Sequence, residues 1–158
     1  MPKDVTDVSF AATLMVRDCC LCLAVQQAAR TLARVFDEAL QPLNLTNGQF
    51  SLLMSLNRPS PPPMGPVADL LAMDRTTLTA ALKPLERRGL VKIMVDPADR
   101  RGRRLTLTAA GRKLLARAFP IWKLHHRKLE KRLKAPDALR ADLALLSRQA
   151  GAGRKAGL

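Results

Sequence analysis

The sequence contains no tyrosine, one tryptophan and four phenylalanines in 158 residues. With so few ring faces for unstacked bases, single-stranded nucleic acid is a poor fit. The only histidines are the adjacent His125 and His126, which on a helix point ~100° apart and cannot chelate together, so no metal centre is indicated. All three cysteines, Cys19, Cys20 and Cys22, fall within four residues. Without distant partners they cannot staple a secreted domain. No apolar run reaches the ~18 residues of a membrane span, because Arg17 and Asp18 interrupt VSFAATLMV before it resumes as CCLCLAV. The start, MPKDVTD, mixes charges rather than presenting a basic n-region, which argues against a secretory signal. Acids are scarce and scattered, and no Ser, His and Asp grouping accompanies a nucleophile turn, so neither an enzyme nor a cofactor is expected. What remains is a soluble cytoplasmic protein without a membrane partner.

What the chain does have is apolar content enough for a core, 47%, in a length that suits one domain or two small lobes. It also has positive charge, unevenly placed. Residues 1–57 hold 4 Lys/Arg against 5 Asp/Glu, residues 75–104 hold 9 against 3, and residues 109–134 hold 9 against 1. Such a field favours a polyanion, with duplex DNA ahead of an anionic membrane surface because no strongly apolar face accompanies the arginines.

The stretch DRTTLTAALKPLERRGLVKIMVDPADRRGRRLTLT, residues 74–108, reads as a helix, a sharp stop and a hairpin. Asp74 is placed to cap the helix and Gly89 to end it. Leu78, Leu82 and Leu85 make one apolar stripe at i, i+4 and i+7, onto which Leu90 folds back. The opposite face carries Arg75, Thr76, Thr79, Lys83 and Arg87, side chains that reach base edges and phosphates. Pro84 inside this helix predicts a bend. LVKIMV and RRLTLT then form strands joined by DPADRRG, with the tip at about 96–104.

Upstream, a loose arm of residues 1–9 precedes one long helix from about 10 to Leu43. Cys22, Val25, Ala29, Leu32, Phe36, Ala39 and Leu43 follow 3-4 spacing along it, the pattern of a seam between helices; an ordinary amphipathic helix buried in its own chain is the alternative. LTNGQF starts another helix, with Thr46 and Gln49 in capping-box spacing and Phe50, Leu53, Met54 and Leu56 apolar. RPSPPP, residues 58–63, reads as a plain surface loop. A short helix over about 65–72 turns Val67, Leu70 and Leu71 inward and lies close enough to the Asp74 helix for a helix-turn-helix. Thr108 caps a helix over about 109–134 with Leu114, Leu115, Ala118, Trp122 and Leu129 inward, and Pro120 predicts a kink near 116–120. A last helix from Pro136 presents Leu139, Leu143 and Leu146 and ends by Gln149, leaving a mobile tail over 150–158. The fold class is therefore mainly α with a small β-hairpin wing: a winged helix-turn-helix lobe over 44–108 and a helical region of 10–43 and 109–149. The terminal helices carry more apolar surface than this lobe can cover, which points to packing with a second copy.

LTNGQF, DRTTLTAALKPLERRGLV, DPADRRGRR and LTAAGRKLL occur in the order, and nearly at the spacing, found in the MarR family of bacterial transcription regulators, which the chain resembles over about residues 17–148. The resemblance implies a homodimer whose first and last helices form the interface and whose two winged lobes read a pseudo-palindromic operator on double-stranded DNA, usually as a repressor released by a ligand or by oxidation. It places base reading at Arg75, Thr76, Thr77, Thr79, Lys83 and Arg87. Wing contacts fall at Arg100, Arg101, Arg103 and Arg104, with Asp99 orienting one of these arginines. A cleft for a small-molecule effector, of unknown identity, is implied between the helical region and the winged lobe.

Cys19 and Cys22 form C-x-x-C near a helix start. Small buried hydrophobes, a redox centre and half a zinc site are the readings weighed; the last lacks a second ligand pair, and a thioredoxin-like enzyme lacks its βαβ frame. Counted back from Thr46, Cys22 falls where the organic-hydroperoxide sensors of the MarR family carry their reactive thiol. Those sensors place tyrosine hydroxyls beside it, and this chain has none. The other competitor is an architectural protein that coats DNA by charge alone, which promoter selectivity would separate from a regulator.

Overall fold

A computed structural model describes residues 7–155, with side chains through residue 148. The first expectation to fall is the single N-terminal helix. Helix α1 spans Phe10–Cys19 and α2 spans Leu21–Leu40, meeting at 57°. Cys20 adopts extended backbone between them and caps α2, its Sγ accepting from the Leu23 N–H at 3.4 Å. The sulfur thereby does what a Ser or Asp oxygen does at other N-caps. A 3-10 turn, Gln41–Leu43, follows, so the helix also stops short of Leu43. Leu40, outside the 3-4 seam, is fully buried, whereas Val25 and Leu32 of that seam are exposed.

Helix α3, Asn47–Ser55, opens on the capping box, with Thr46 and Gln49 each bonding the other's backbone N–H. Asp37 of α2 adds a further acceptor for the Asn47 N–H at 2.6 Å. After it, the proline run is no plain loop. The Pro62 carbonyl accepts from the Leu105 N–H at 2.9 Å, and Pro63 bridges to Arg104. The prolines force an extended path, and that path lies along the edge of the hairpin, where their missing donors are not needed.

Helix α4, Met64–Leu70, buries Val67 and Ala68, but Leu70 faces solvent at 60% exposure rather than turning inward. Ala72 takes a left-handed φ of 52° in the turn to α5, Arg75–Arg87. Asp74 caps α5 by accepting from the Thr77 N–H at 2.7 Å. Leu78, Leu82 and Leu85 are all fully buried. Gly89, at φ +67°, supplies the left-handed residue that lets the Leu90 N–H return to the Leu85 carbonyl. Helix α5 continues unbroken through Pro84.

Strands β1, Val91–Val95, and β2, Arg103–Leu107, pair antiparallel with Val91 opposite Leu107 and Val95 opposite Arg103. Helix α6, Ala109–Glu130, is capped by Thr108, whose hydroxyl oxygen accepts from Gly111. It also runs unbroken through Pro120 but stops four residues before Lys134, and α7, Pro136–Lys155, continues past Gln149. The expected loose ends at 1–6 and 156–158 lie outside the described residues. In the core, α2 packs on α3 and α6, α5 on β1, and α4 on α5 and β2. Among the described residues no single helix is long and apolar enough to cross a membrane.

Candidate nucleic-acid interface

Because its leucine stripe is buried, α5 must turn its other side outward. Arg75, Thr76, Thr79 and Lys83 line one shallow surface concavity with Ala80. Thr77 and Arg87 are outside that lining; Thr77 lies a further ~100° round the helix from Thr76. Arg75 reaches across the helix-turn-helix, its Nη2 lying 3.9 Å from where a Cβ on Gly65 would stand. The Thr79 hydroxyl donates to the Arg75 carbonyl at 2.7 Å. Its proton is thus committed, leaving an oxygen lone pair and a methyl group to face outward. Arg88, which the sequence did not single out, donates to the Asn44 carbonyl at 2.7 Å and ties the end of α5 to the turn before α3.

In the wing, the four arginines divide. Arg104 is half-buried and pairs with Asp96 at 3.0 Å, while its Nη1 donates to the Pro61 carbonyl at 2.9 Å. It holds the wing to the proline strand. The carboxylate expected to orient a wing arginine was Asp99; Asp99 instead accepts from the Arg101 backbone N–H, and Asp96 holds the arginine. The Ala98 backbone N–H, and then the Arg104 guanidinium, keep the Asp96 carboxyl below the usual carboxylate range. Arg103 donates to the carbonyls of Arg100 and Gly102. Arg100 and Arg101 are exposed, and among the described residues neither forms an ion pair with a carboxylate.

Three of the five Phe and Trp residues converge. Trp122 of α6 stacks with Phe50 of α3 and with Phe119, each at 6.0 Å between ring centres, and with His126 at 4.5 Å. Two adjoining clefts of about 370 Å³ each open beside this cluster and share Met54 and Phe119. One is rimmed by Asn57 and Arg112, the other by Ser51 and Ser55. The cysteines are not buried hydrophobes in this chain: Cys19 and Cys22 are exposed and Cys20 is half-buried. Gln26 Nε2 donates to the Cys22 sulfur at 3.1 Å. Among the described residues no three His, Cys, Asp or Glu side chains converge as metal ligands would.

A two-helix reading unit, a hairpin wing with outward arginines and a carboxylate-poor face define a winged helix-turn-helix DNA-binding protein. The MarR family profile matches residues 45–102. The DNA complex of the M. tuberculosis transcriptional regulator MosR is similar at TM-score 0.79 and 36% identity, covering 85% of this chain and 98% of that one. A complex of the transcriptional repressor CouR with a 23-mer duplex is similar at TM-score 0.70 and 31% identity, covering 85% and 95%. The transcriptional activatory protein BadR of Rhodopseudomonas palustris is 34% identical over 89 residues, 54% of this chain and 51% of BadR. The chain thus spans about half the length of that curated relative. It belongs to the MarR family of DNA-binding transcriptional regulators.

Proposed function

We propose that the chain is a cytoplasmic, sequence-reading repressor that binds a pseudo-palindromic operator as a homodimer and is released by a small-molecule effector. The observation that carries this reading is the concavity on α5, where two cations and two hydroxyls surround a groove-sized helix face backed by buried leucines. Residues 44–108 form the reading lobe. Residues 10–43 and 109–149 form the dimerisation region, supported by the exposure there of Phe10, Val25, Leu32, Leu139 and Leu146. Arg75, Thr76, Thr79 and Lys83 read bases, Thr77 and Arg87 flank them, and Arg100, Arg101 and Arg103 grip phosphates; Arg104 sets the wing. The effector sits in the paired clefts between α3 and α6, whose size suits a small molecule with a planar apolar part.

The test is quantitative binding to an operator selected from random duplexes. Arg75→Ala or Thr79→Ala relaxes base preference by about 1–3 kcal/mol per good contact. Arg100→Ala or Arg101→Ala weakens binding to every sequence and reduces the salt slope by about one. If all four changes act alike on operator and random DNA, α5 is not the reading helix and a charge-only DNA coat is the better description. A thermal-shift screen of aromatic acids and acyl thioesters tests the clefts, with Trp122→Ala expected to abolish any shift. A second reading, a peroxide-responsive thiol switch at Cys22, is favoured by the exposed sulfur beside Gln26.

A further inference from the structure

Helix α6 carries a second concentration of positive charge that neither the reading face nor the wing uses. Nine Lys/Arg stand against one acid over residues 109–134. The one acid, Glu130, is engaged by Arg140 at 2.6 Å and approached by His126 at 3.6 Å. Among the described residues none of these nine cations pairs with a carboxylate. At about 100° per residue, Lys113, Arg117, Lys128 and Lys131 fall within about 60° of one another. Their stripe faces away from the buried side marked by Gly111, Leu115 and Ala118. All four are exposed; Pro120 and Leu124 are its uncharged members.

Helix electrostatics do not account for this stripe. A helix dipole favours cations only in the last turn, which covers Lys128 and the capping Lys131. Lys113 sits near the positive end of the dipole, and no acid occupies the first turn. Like charges at i, i+4, as in Lys113 and Arg117, also cost a few tenths of a kcal/mol each. The stripe therefore has no counter-charge among the described residues.

The stripe lies apart from the wing tip. Strand β2 runs from the wing tip to Leu107, and α6 starts two residues later, at the opposite end of the hairpin. Five residues of strand put the start of α6 about 17 Å from the tip, and the stripe extends roughly 27 Å along the helix. It is thus a separate surface rather than an extension of the wing tip.

We propose that Lys113, Arg117, Lys128 and Lys131 form a second, sequence-independent duplex-DNA surface that holds phosphates outside the operator. This rests on the chain's being a DNA-binding regulator and extends it to a second contact. The phosphates belong either to the flanks of the operator fragment or to a separate duplex.

The experiment compares the full chain with its Lys113→Gln, Arg117→Gln, Lys128→Gln, Lys131→Gln variant, first matched by circular dichroism and melting. Two probes are used across a salt series: a duplex just spanning the selected operator, and the same duplex extended by random flanks. Wild type is expected to bind the extended duplex more tightly, with a salt slope steeper by about 0.9 per added phosphate contact. The variant should bind both duplexes alike, with the affinity for the short one within about twofold of wild type. Capture of a second labelled duplex on an immobilised short complex, lost in the variant, would assign the phosphates to a separate duplex; extension-dependent binding without capture assigns them to the flanks. Wild type that neither prefers the extended duplex nor captures a second one overturns the proposal. So does a variant that keeps these effects while losing binding to phosphatidylserine vesicles. Operator selectivity is read on the short probe alone, so its failure is distinguishable from failure of the stripe. Should the variant not fold, the pair Lys113→Gln, Arg117→Gln is measured in the same way.

Discussion

Replacing Gly111 by alanine sets two physical effects against each other, and the structure says which one wins. Alanine is the better helix former by about 1 kcal/mol, so propensity alone makes the change stabilising. Gly111, however, lies where α6 crosses the root of the wing. A Cβ there would stand 2.1 Å from the Leu90 carbonyl oxygen and 3.3 Å from Leu107 Cδ2. Carbon and carbonyl oxygen ordinarily approach no closer than roughly 3.3 Å, so the helix and the strand must part by more than ~1 Å. The carbonyl cannot simply swing aside, because it accepts from the Thr108 N–H at 3.1 Å, while the Thr108 hydroxyl donates to the adjacent Gly89 carbonyl at 2.6 Å. Thr108 is also the cap of α6.

Overpacking against fixed backbone costs about 1–3 kcal/mol or more, and here it also loosens the cap. We expect Gly111→Ala to destabilise the fold by about 1–3 kcal/mol net. At ~2–4 °C per kcal/mol for a chain of this size, the melting temperature should fall by about 2–12 °C. Circular dichroism melts at one fixed protomer concentration make the measurement, since dimerisation would otherwise shift the midpoint. Gly48→Ala is the control: its Cβ would meet nothing nearer than Thr46 Oγ1 at 4.0 Å, so stability should hold or rise by up to ~1 kcal/mol. A Gly111→Ala protein as stable as wild type would refute the packing described at the wing root.

Asp96→Asn keeps an acceptor for Ala98 but removes the charge facing Arg104, so amide exchange over residues 96–104 should speed up while α5 is unaffected. In wild type the lowered carboxyl makes its contribution above the ordinary Asp value of about 3.9 and loses it as pH falls through the still lower folded value. Wing protection should therefore hold from neutral pH to about 4 and fail only below it; loss at pH 5–6 would contradict the Asp96–Arg104 pairing. Sedimentation at micromolar concentration should show one dimeric species, and Leu139→Glu with Leu143→Glu should shift it toward monomer; a wild-type monomer that binds a palindrome tightly would sink the dimer. Titration with organic hydroperoxide should release wild type but not Cys22→Ser from operator if the thiol reading holds, whereas equal retention by both rules the switch out.

What could be read without coordinates was whatever depends on residues three or four apart. The caps at Thr46, Asp74 and Thr108 and the stripe Leu78, Leu82 and Leu85 are of this kind, as local side chain to backbone bonds and helical period fix them. The break at Cys20 was hidden because a sulfur is an uncommon cap and the apolar spacing continues through it. Contacts set by the alignment of distant segments were illegible too. Asp96 rather than Asp99 holds Arg104 because the register of β1 against β2 decides which carboxylate is near. The proline run meets β2 forty-three residues later, and Phe50 meets Trp122 across the whole winged lobe. Leu70 faces solvent where the spacing predicts it inward, because a seven-residue helix has too few turns for its period to separate an inner from an outer leucine. On α5 itself, the face was legible from its period, but Thr79's commitment to the Arg75 carbonyl required the hydroxyl's direction.

Helix α6 supplies the mechanical link that a releasable regulator needs. At its first turn it touches the wing root through Gly111 and Thr108. At its middle Trp122 packs on Phe50 of α3 beside the clefts, and at its end Glu130 takes Arg140 of α7. One continuous helix therefore touches the wing, the candidate effector site and the helices proposed to face the second copy. Pro120 lacks the N–H that would bond the Ala116 carbonyl, so the helix is softest between the wing root and Trp122. Under the proposed release, a ligand that wedged Trp122 away from Phe50 would bend α6 at that point, and the wing root would follow because the Leu90 carbonyl is bonded to its cap. In a dimer, even a small tilt changes the separation of two reading helices that must meet grooves about 34 Å apart. Pro120→Ala restores the missing donor and should stiffen this joint. Effector affinity should then weaken while operator affinity without effector is retained; unchanged release would place the hinge elsewhere than at Pro120.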